Sequence, residues 1–340
     1  MYSKTYIEGG SFIYSNNLNI KVFEKTNNSL KNIQKNNYAF ANLNHTIYTK
    51  TKYFNFGFKK DKNLNIYINN GFIQSWFKIK KDFSKLIKSE DIGNDISNTK
   101  IDANMNSYDY YAMFFKKSIF KNKKHFFYGT LNFLKANDIQ KIDINGENLN
   151  KRFKVNIDYY YAKKNIITKN KNHNKDYSGY GYSLDFNYIY INQNIYINAY
   201  INNIFGYIFW KNISYMNYKF DSKTIYKGED GFNHLRAFGR GKYKYNINYK
   251  QKLPYFYKII FDYKINKRFS IGNTYLANKD IYFNHTYIQN NIKQYKINIG
   301  YIHKANISTL GLSYKNYKIQ ISNKFNSNNK SAIFSYALSY

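Results

Sequence analysis

The sequence predicts an all-β fold, a closed antiparallel transmembrane barrel of about 16 strands, and three observations carry that expectation. The first is alternation. Tyr243, Tyr245, Ile247 and Tyr249 are bulky and apolar, and Lys242, Lys244, Asn246, Asn248 and Lys250 between them are polar. Such a strand has one greasy face and one wet face. The second is composition: 40 Tyr and 28 Phe dominate the apolar content, which suits strands and interfacial belts better than helical cores. The third is a single Pro, Pro254, in 340 residues, as expected where most backbone N–H groups are needed in ladders.

A soluble sandwich would need two apolar inner faces and would leave sheet edges to protect. Here the alternate face carries Lys, Asn, Ser, Asp and Gln in nearly every run, so it makes no dry core. A barrel in a bilayer resolves this by turning aromatic and aliphatic residues to lipid and polar ones to a watery lumen, with every backbone group paired. Sixteen strands of about ten residues leave roughly a dozen residues per connection, and nineteen leave roughly eight. Nothing in the composition marks a seam, so residues 1–340 read as one barrel domain with no soluble N-terminal repeat domain.

Taken in chain order, Thr5 to Tyr14 or Leu18 to Glu24 supplies the first strand. Phe54, Phe56 and Phe58 pair with Leu64, Ile66 and Ile68 through a turn at Lys60 to Asn63. Lys78 to Asn104 mixes charges with isolated apolar residues and reads as a long loop, with a short helix near Asp82 to Ser89. Phe153 to Tyr161 alternates again. Phe186 to Trp210 is the longest uncharged run, but its seven amides and its period of two make it a hairpin turning at Asn192-Gln193-Asn194. Asp221 to Gly241 is rich in Gly and charge and reads as a second long loop. Tyr295 to Tyr301, Leu310 to Tyr314 and Tyr317 to Phe325 follow, with short connections at Lys315-Asn316 and Asn326 to Asn329. Ser331 to Tyr340 is the last strand, with Phe334, Tyr336, Leu338 and Tyr340 on one face.

The formal charge of +33, from 53 Lys plus Arg against 20 Asp plus Glu, points to anionic partners in general. Lys is spread along the whole chain and not gathered into a stripe, so nucleic acid is not an expected partner. Lys, Asn, Ile, Tyr and Phe all have AT-rich codons, which offers a compositional source for part of the excess. Without Cys there are no disulfides or thiolate sites, and the six His residues are far apart, so neither metal nor other cofactor is expected. Residues Met1 to Gly10 lack a basic start followed by an apolar core, so a secretory leader is not expected there. No catalytic triad, phosphate loop or carboxylate pair stands out, and no enzyme activity is expected.

The run from Ile225 to Gly239, containing Gly228, Leu235, Arg236, Ala237, Phe238 and Gly239, resembles the Arg-Gly-Phe loop of the outer-membrane β-barrel assembly-factor superfamily. That family includes the central barrel of the mitochondrial sorting and assembly machinery and its bacterial counterpart. Leu253-Pro254-Tyr255-Phe256 and Ile260-Phe261-Asp262 resemble its next turn and strand. Ala237 stands where the signature has Gly, Lys264 where the strand has Gly, and no glycine marks the final strand.

The resemblance implies a loop folded into a sixteen-stranded lumen, with Arg236 meeting Asp262. Strand parity puts Tyr257, Ile259, Phe261 and Tyr263 on lipid and Lys258, Ile260, Asp262 and Lys264 in the lumen. The resemblance further implies insertion of other barrel proteins into the mitochondrial outer membrane through a lateral gate between the first strand and the last, Phe334 to Tyr340. The partners would be the lipid bilayer, unfolded β-barrel precursors and accessory subunits of an assembly complex. The rival expectations are a mitochondrial pore resembling the voltage-dependent anion channel or the general import channel, and a soluble Asn- and Lys-rich binding protein.

Overall fold

In a computed structural model, the protein is described over residues 4–15, 36–51, 53–69, 71–72, 99–149, 152–163, 176–227, 229–278, 281–304, 306–314, 317–323 and 331–339. The first eight strands are β1 (Lys4–Ser15), β2 (Asn36–Lys50), β3 (Phe54–Asn69), β4 (Thr99–Lys121), β5 (His125–Leu149), β6 (Arg152–Tyr161), β7 (Ser178–Ile191) and β8 (Ile195–Lys227). The others are β9 (Asn233–Lys252), β10 (Phe256–Lys264), β11 (Phe269–Ala277), β12 (Tyr282–Ile292), β13 (Tyr295–Ile302), β14 (Ile307–Tyr314), β15 (Tyr317–Asn323) and β16 (Ser331–Ser339).

All sixteen belong to one antiparallel sheet, but the closed ring has 14 strands, with β6 and β9 outside it. The ring runs β1 to β5, then β7, β8 and β10 to β16, and it closes where Tyr6 to Tyr14 of β1 pair with Ser339 to Ser331 of β16. No sheet edge is left in the ring, so every backbone group can pair inside the bilayer. The expected count of sixteen is therefore right for the sheet and wrong for the barrel. β1 begins and β16 ends at the rim where short turns join β2 to β3, β4 to β5, β7 to β8 and β10 to β11. The strand ends that the longer connections join form the opposite rim.

The outer surface explains why the sequence alternates. Phe54, Phe56 and Phe58 on β3, Tyr257 to Tyr263 by alternate residues on β10, Leu310 and Leu312 on β14, and Ile319 and Ile321 on β15 are all exposed, several by about half. An apolar surface this extensive is stable only against lipid. The β10 residues face outward as parity requires.

A bilayer needs strands of about ten residues, yet β4, β5 and β8 have 23, 25 and 33. Their surplus length, with β6 and β9, forms a five-stranded wall standing beyond the ring. Three residues of β8 with positive φ, Asn203, Phe205 and Asn212, coincide with its register shifts. The first two occur where β8 exchanges its partner, from β10 below to β9 above. These are bulges, which bend a strand and re-aim its side chains.

Three expectations change here and one holds. Phe54 to Ile68 is one strand, not a hairpin, because β3 pairs along its whole length with β2. Thr99 to Asn104 is strand, while the helix expected at Asp82 to Ser89 falls outside the described residues. The hairpin at Asn192 to Asn194 is present, closed by Asn192 N–H donating to the Ile195 carbonyl at 2.8 Å. Asp221 to Gly241 is no lumen loop: its described backbone is the tip of a β8–β9 hairpin, with Thr224 opposite Arg236 and Ile225 opposite Leu235.

Candidate functional site

The lumen is polar along most of its length, and its charges hold one another. Asp185 of β7 accepts from Asn132 of β5 at 2.8 Å and from the backbone N–H of Asn203 at 2.8 Å, and it pairs with Lys59 of β3 at 3.4 Å. One carboxylate thus ties three strands and satisfies the donor freed by the first β8 bulge. Asp61 of β3 accepts from Tyr110 at 3.2 Å, Asn42 at 3.0 Å and Asn63 at 2.8 Å. Lower in the barrel, Lys116, Lys258 and Lys318 lie in the field of Glu8, with Asp262 acting also on Lys318 and Asp185 on Lys116. Lys258 stands on the lumen face of β10 and is exposed there. An exposed lysine on that face is what a wet lumen produces.

At the rim of longer connections the lumen turns apolar. Phe12 and Tyr14 of β1 and Phe40 of β2 reach across to Phe256 of β10 and Phe283 of β12, with Ile281, Ile302 and Ile307 filling behind them. Phe12 meets Phe283 edge to face at 4.6 Å, and Phe40 lies 5.9 Å from Phe256. Beside them Asn278 donates to Asn65 of β3 at 3.3 Å. Strands that are not neighbours in the sheet touch here, so this cluster is a stopper. Edge-to-face aromatic pairs add about 0.5–1.5 kcal/mol each beyond the area that they bury.

The wall above the ring repeats the lumen's polarity. Between Tyr108 and Tyr110 the register shift falls on β5, and on the same face of β4 follow Asn106, Asn104 and Asp102. Pairing carries this face across five strands in three rows. Asp102 leads through Asn145, Asn156 and Lys219 to Arg240; Asn104 through Asp143, Asp158 and Asn217 to Lys242; Asn106 through Lys141, Tyr160 and Tyr215 to Lys244. The far end of these rows forms an open cleft of about 510 Å³, lined by Asn156, Asp158, Tyr215, Asn217, Lys219, Arg240, Lys242 and Lys244.

Tyr215 donates to Asp158, which also accepts from Asn156 at 2.7 Å and Asn217 at 3.0 Å. Burial and then this hydrogen bond hold the Tyr215 phenol well above the usual tyrosine range, so it stays a donor. Where wall joins ring, Trp210 donates to Gln251 at 2.9 Å, and Gln251 to Asn106 at 3.0 Å, inside a core of Tyr108, Ile139, Ile208, Ile213 and Leu253.

The site residues expected from sequence are scattered. Asp262 does point into the lumen, but its hydroxyl partner is Tyr287 of β12, across Gly272. On β8, the residue facing Arg236 is Thr224 and the residue facing Asp262 is Tyr196, near opposite ends of one strand. At roughly 3.3 Å per residue they are many tens of ångströms apart. The structure does not bring Arg236 to Asp262. Leu235, Ala237, Phe238 and Gly239 lie on β9 with Arg236, and Gly228 falls outside the described residues.

Phe334, Tyr336 and Leu338 share one face of β16, opposite Ser11, Gly9 and Ile7, and Tyr340 is outside the described residues. The Tyr336 hydroxyl reaches over Gly9 to His45 Nδ1 of β2 at 2.8 Å. A side chain at Gly9 would meet that hydroxyl at 2.7 Å. This contact lies on the outer face of the seam. The residues that sequence reasoning missed are Lys59 and Asp185 as a pair and the cations of the cleft, since only pairing across five strands gathers them. Among the described residues no group of His, Asp or Glu is arranged to hold a metal ion.

No family model matches this chain, and no curated protein matches it in sequence. Among solved structures, it is similar to the TodX deltaS2S3 mutant monoaromatic hydrocarbon channel, at 9% identity and TM-score 0.46, over 99% of this chain and 89% of that one. It is also similar to the Pseudomonas putida toluene transporter TodX, at 8% identity and TM-score 0.41, over 99% and 87%. A third is a Pseudomonas aeruginosa FadL homologue, at 7% identity and TM-score 0.31, over 99% and 90%. The cargo in those names belongs to those proteins.

These findings correct the assembly-factor resemblance and all that it implied: the barrel-inserting function, the precursor and accessory-subunit partners, and the mitochondrial location. The segment that carried the resemblance is a strand hairpin and not a lumen loop, and the ring has 14 strands and not 16 or 19. An even, antiparallel closure is the pattern of single-chain bacterial barrels. The chain is a closed antiparallel β-barrel of 14 strands with two strands outside the ring.

Proposed function

We propose that this chain is an outer-membrane channel that moves small water-soluble solutes through its lumen, without covalent chemistry. The observation that carries the reading is the lumen itself: a wet, charged tube closed at one rim by an aromatic stopper. A barrel serving only as an anchor has no need of Lys116, Lys258, Lys318 and Glu8 on its lumen face, since intramembrane charges are costly and mark pathways. Lumen charge and a hydrophobic constriction are the two devices by which pores select and gate.

The test is conductance in planar bilayers. The native protein should show low conductance, and Phe12→Ala with Phe283→Ala should raise it several-fold by opening the stopper. A folded double variant as impermeable as the native barrel would sink the channel reading.

A further inference from the structure

We infer that the cleft between β6, β8 and β9 is a binding site for a soluble polyanion, a molecule carrying several carboxylate or phosphate groups. This deepens the channel reading and rests on it for the ligand's onward path, but not for the binding itself. Arg240, Lys242 and Lys244 occupy alternate positions of β9 on one face, so they stand roughly 7 Å apart in succession. Lys219 of β8 sits directly opposite Arg240. Four cations therefore converge on one cavity of ligand size.

Three carboxylates of this face are engaged by other groups, Asp158 within the cleft itself, and Asp102 stands on β4 at the far end of its row. Asp143 pairs with Lys141 at 3.2 Å, Asp221 pairs with Arg152, and Asp158 is held by Tyr215, Asn156 and Asn217. Among the described residues none of the four cations has a carboxylate partner. Four cations against the single carboxylate of Asp158 leave the cleft net positive, and an anion of matching spacing relieves the repulsion. Elsewhere on the wall Lys141 pairs with Asp143 and Arg152 with Asp221.

Two further observations select the ligand. The cleft lies on the face that continues the lumen wall through Tyr108 and Tyr110, not on the lipid face, so a free solute reaches it and a neighbouring lipid headgroup does not. Beneath it the lumen carries Lys116, Lys258 and Lys318, cations on the path inward. Arg240 supplies a planar fork for a carboxylate or phosphate, and the lysines supply point charges.

Calorimetry on the detergent-solubilised full chain, with citrate and with pyrophosphate as separate probes, tests this. At least one should bind with an affinity that falls as salt rises. Arg240→Glu with Lys242→Glu should weaken it at least tenfold. Lys123→Glu with Lys124→Glu, an equal charge change at the turn between β4 and β5, should leave it unchanged, and heat-modifiable gel mobility should show both variants folded. Absence of binding by either probe, or equal weakening by both variants, overturns the proposal. So does binding only to vesicles of anionic lipid. Intact binding without conductance would instead refute the channel and leave the site standing.

Discussion

Asp185 shows how much one residue does in a barrel whose interior is wet. Its two oxygens meet Lys59, Asn132 and the bulge N–H of Asn203, so removing it strands a cation and a backbone donor at once. An unsatisfied part-buried group costs about 1–3 kcal/mol. Asp185→Ala should therefore lower unfolding stability in urea by about that amount, whereas Asp185→Asn, which keeps an acceptor for Asn203, should lose less. Equal losses would assign the effect to charge alone. The sequence makes Asp185 legible as a lumen residue, since Ser183, Asp185 and Asn187 alternate with Tyr182, Leu184 and Phe186. Its partners were not legible, because β3 and β7 meet only through the curvature of the closed ring.

At the scale of elements, the alternation that signals strands also conceals their bulges. Tyr243 to Tyr249 reads as one greasy face, yet the register has Tyr215 opposite Lys244 and Ile213 opposite Ile247. One extra β9 residue is therefore accommodated at Asn246, whose φ is 58°. Tyr243 and Tyr245 are exposed on one side, and Ile247 and Tyr249 pack on the other against Trp210 and Ile213. Asn tolerates this left-handed backbone better than other residues with side chains, but in a chain so rich in Asn the signal does not stand out.

A β-branched residue fits there poorly, and left-handed backbone costs an L residue about 1–2 kcal/mol. Asn246→Val should lower stability by that amount in chemical denaturation, and Asn246→Gly should be neutral or slightly stabilising. A neutral Val variant would remove the bulge from this account. The Asp221 to Gly241 hairpin escaped sequence reading for a related reason. Alternation is written by two solvents, and beyond the bilayer a strand no longer needs a lipid face.

For the whole molecule, the ring of 14 strands, the stopper and the wall follow from one division of labour between faces. The class of fold was legible because lipid and water impose a period of two on every spanning strand. The number of strands in the ring was not, because a strand of 33 residues and two strands outside the ring leave the total of sixteen unchanged.

The most direct test uses the absence of Cys from the chain, which lets single cysteines report position without background. In liposomes, Lys258→Cys and Lys318→Cys should react with a small water-soluble thiol reagent through the lumen. Ile259→Cys and Ile319→Cys, one residue along, should be protected by lipid. Equal labelling of neighbours, or protection of the lysine positions with exposure of the isoleucine positions, would contradict the closed ring with its wet interior.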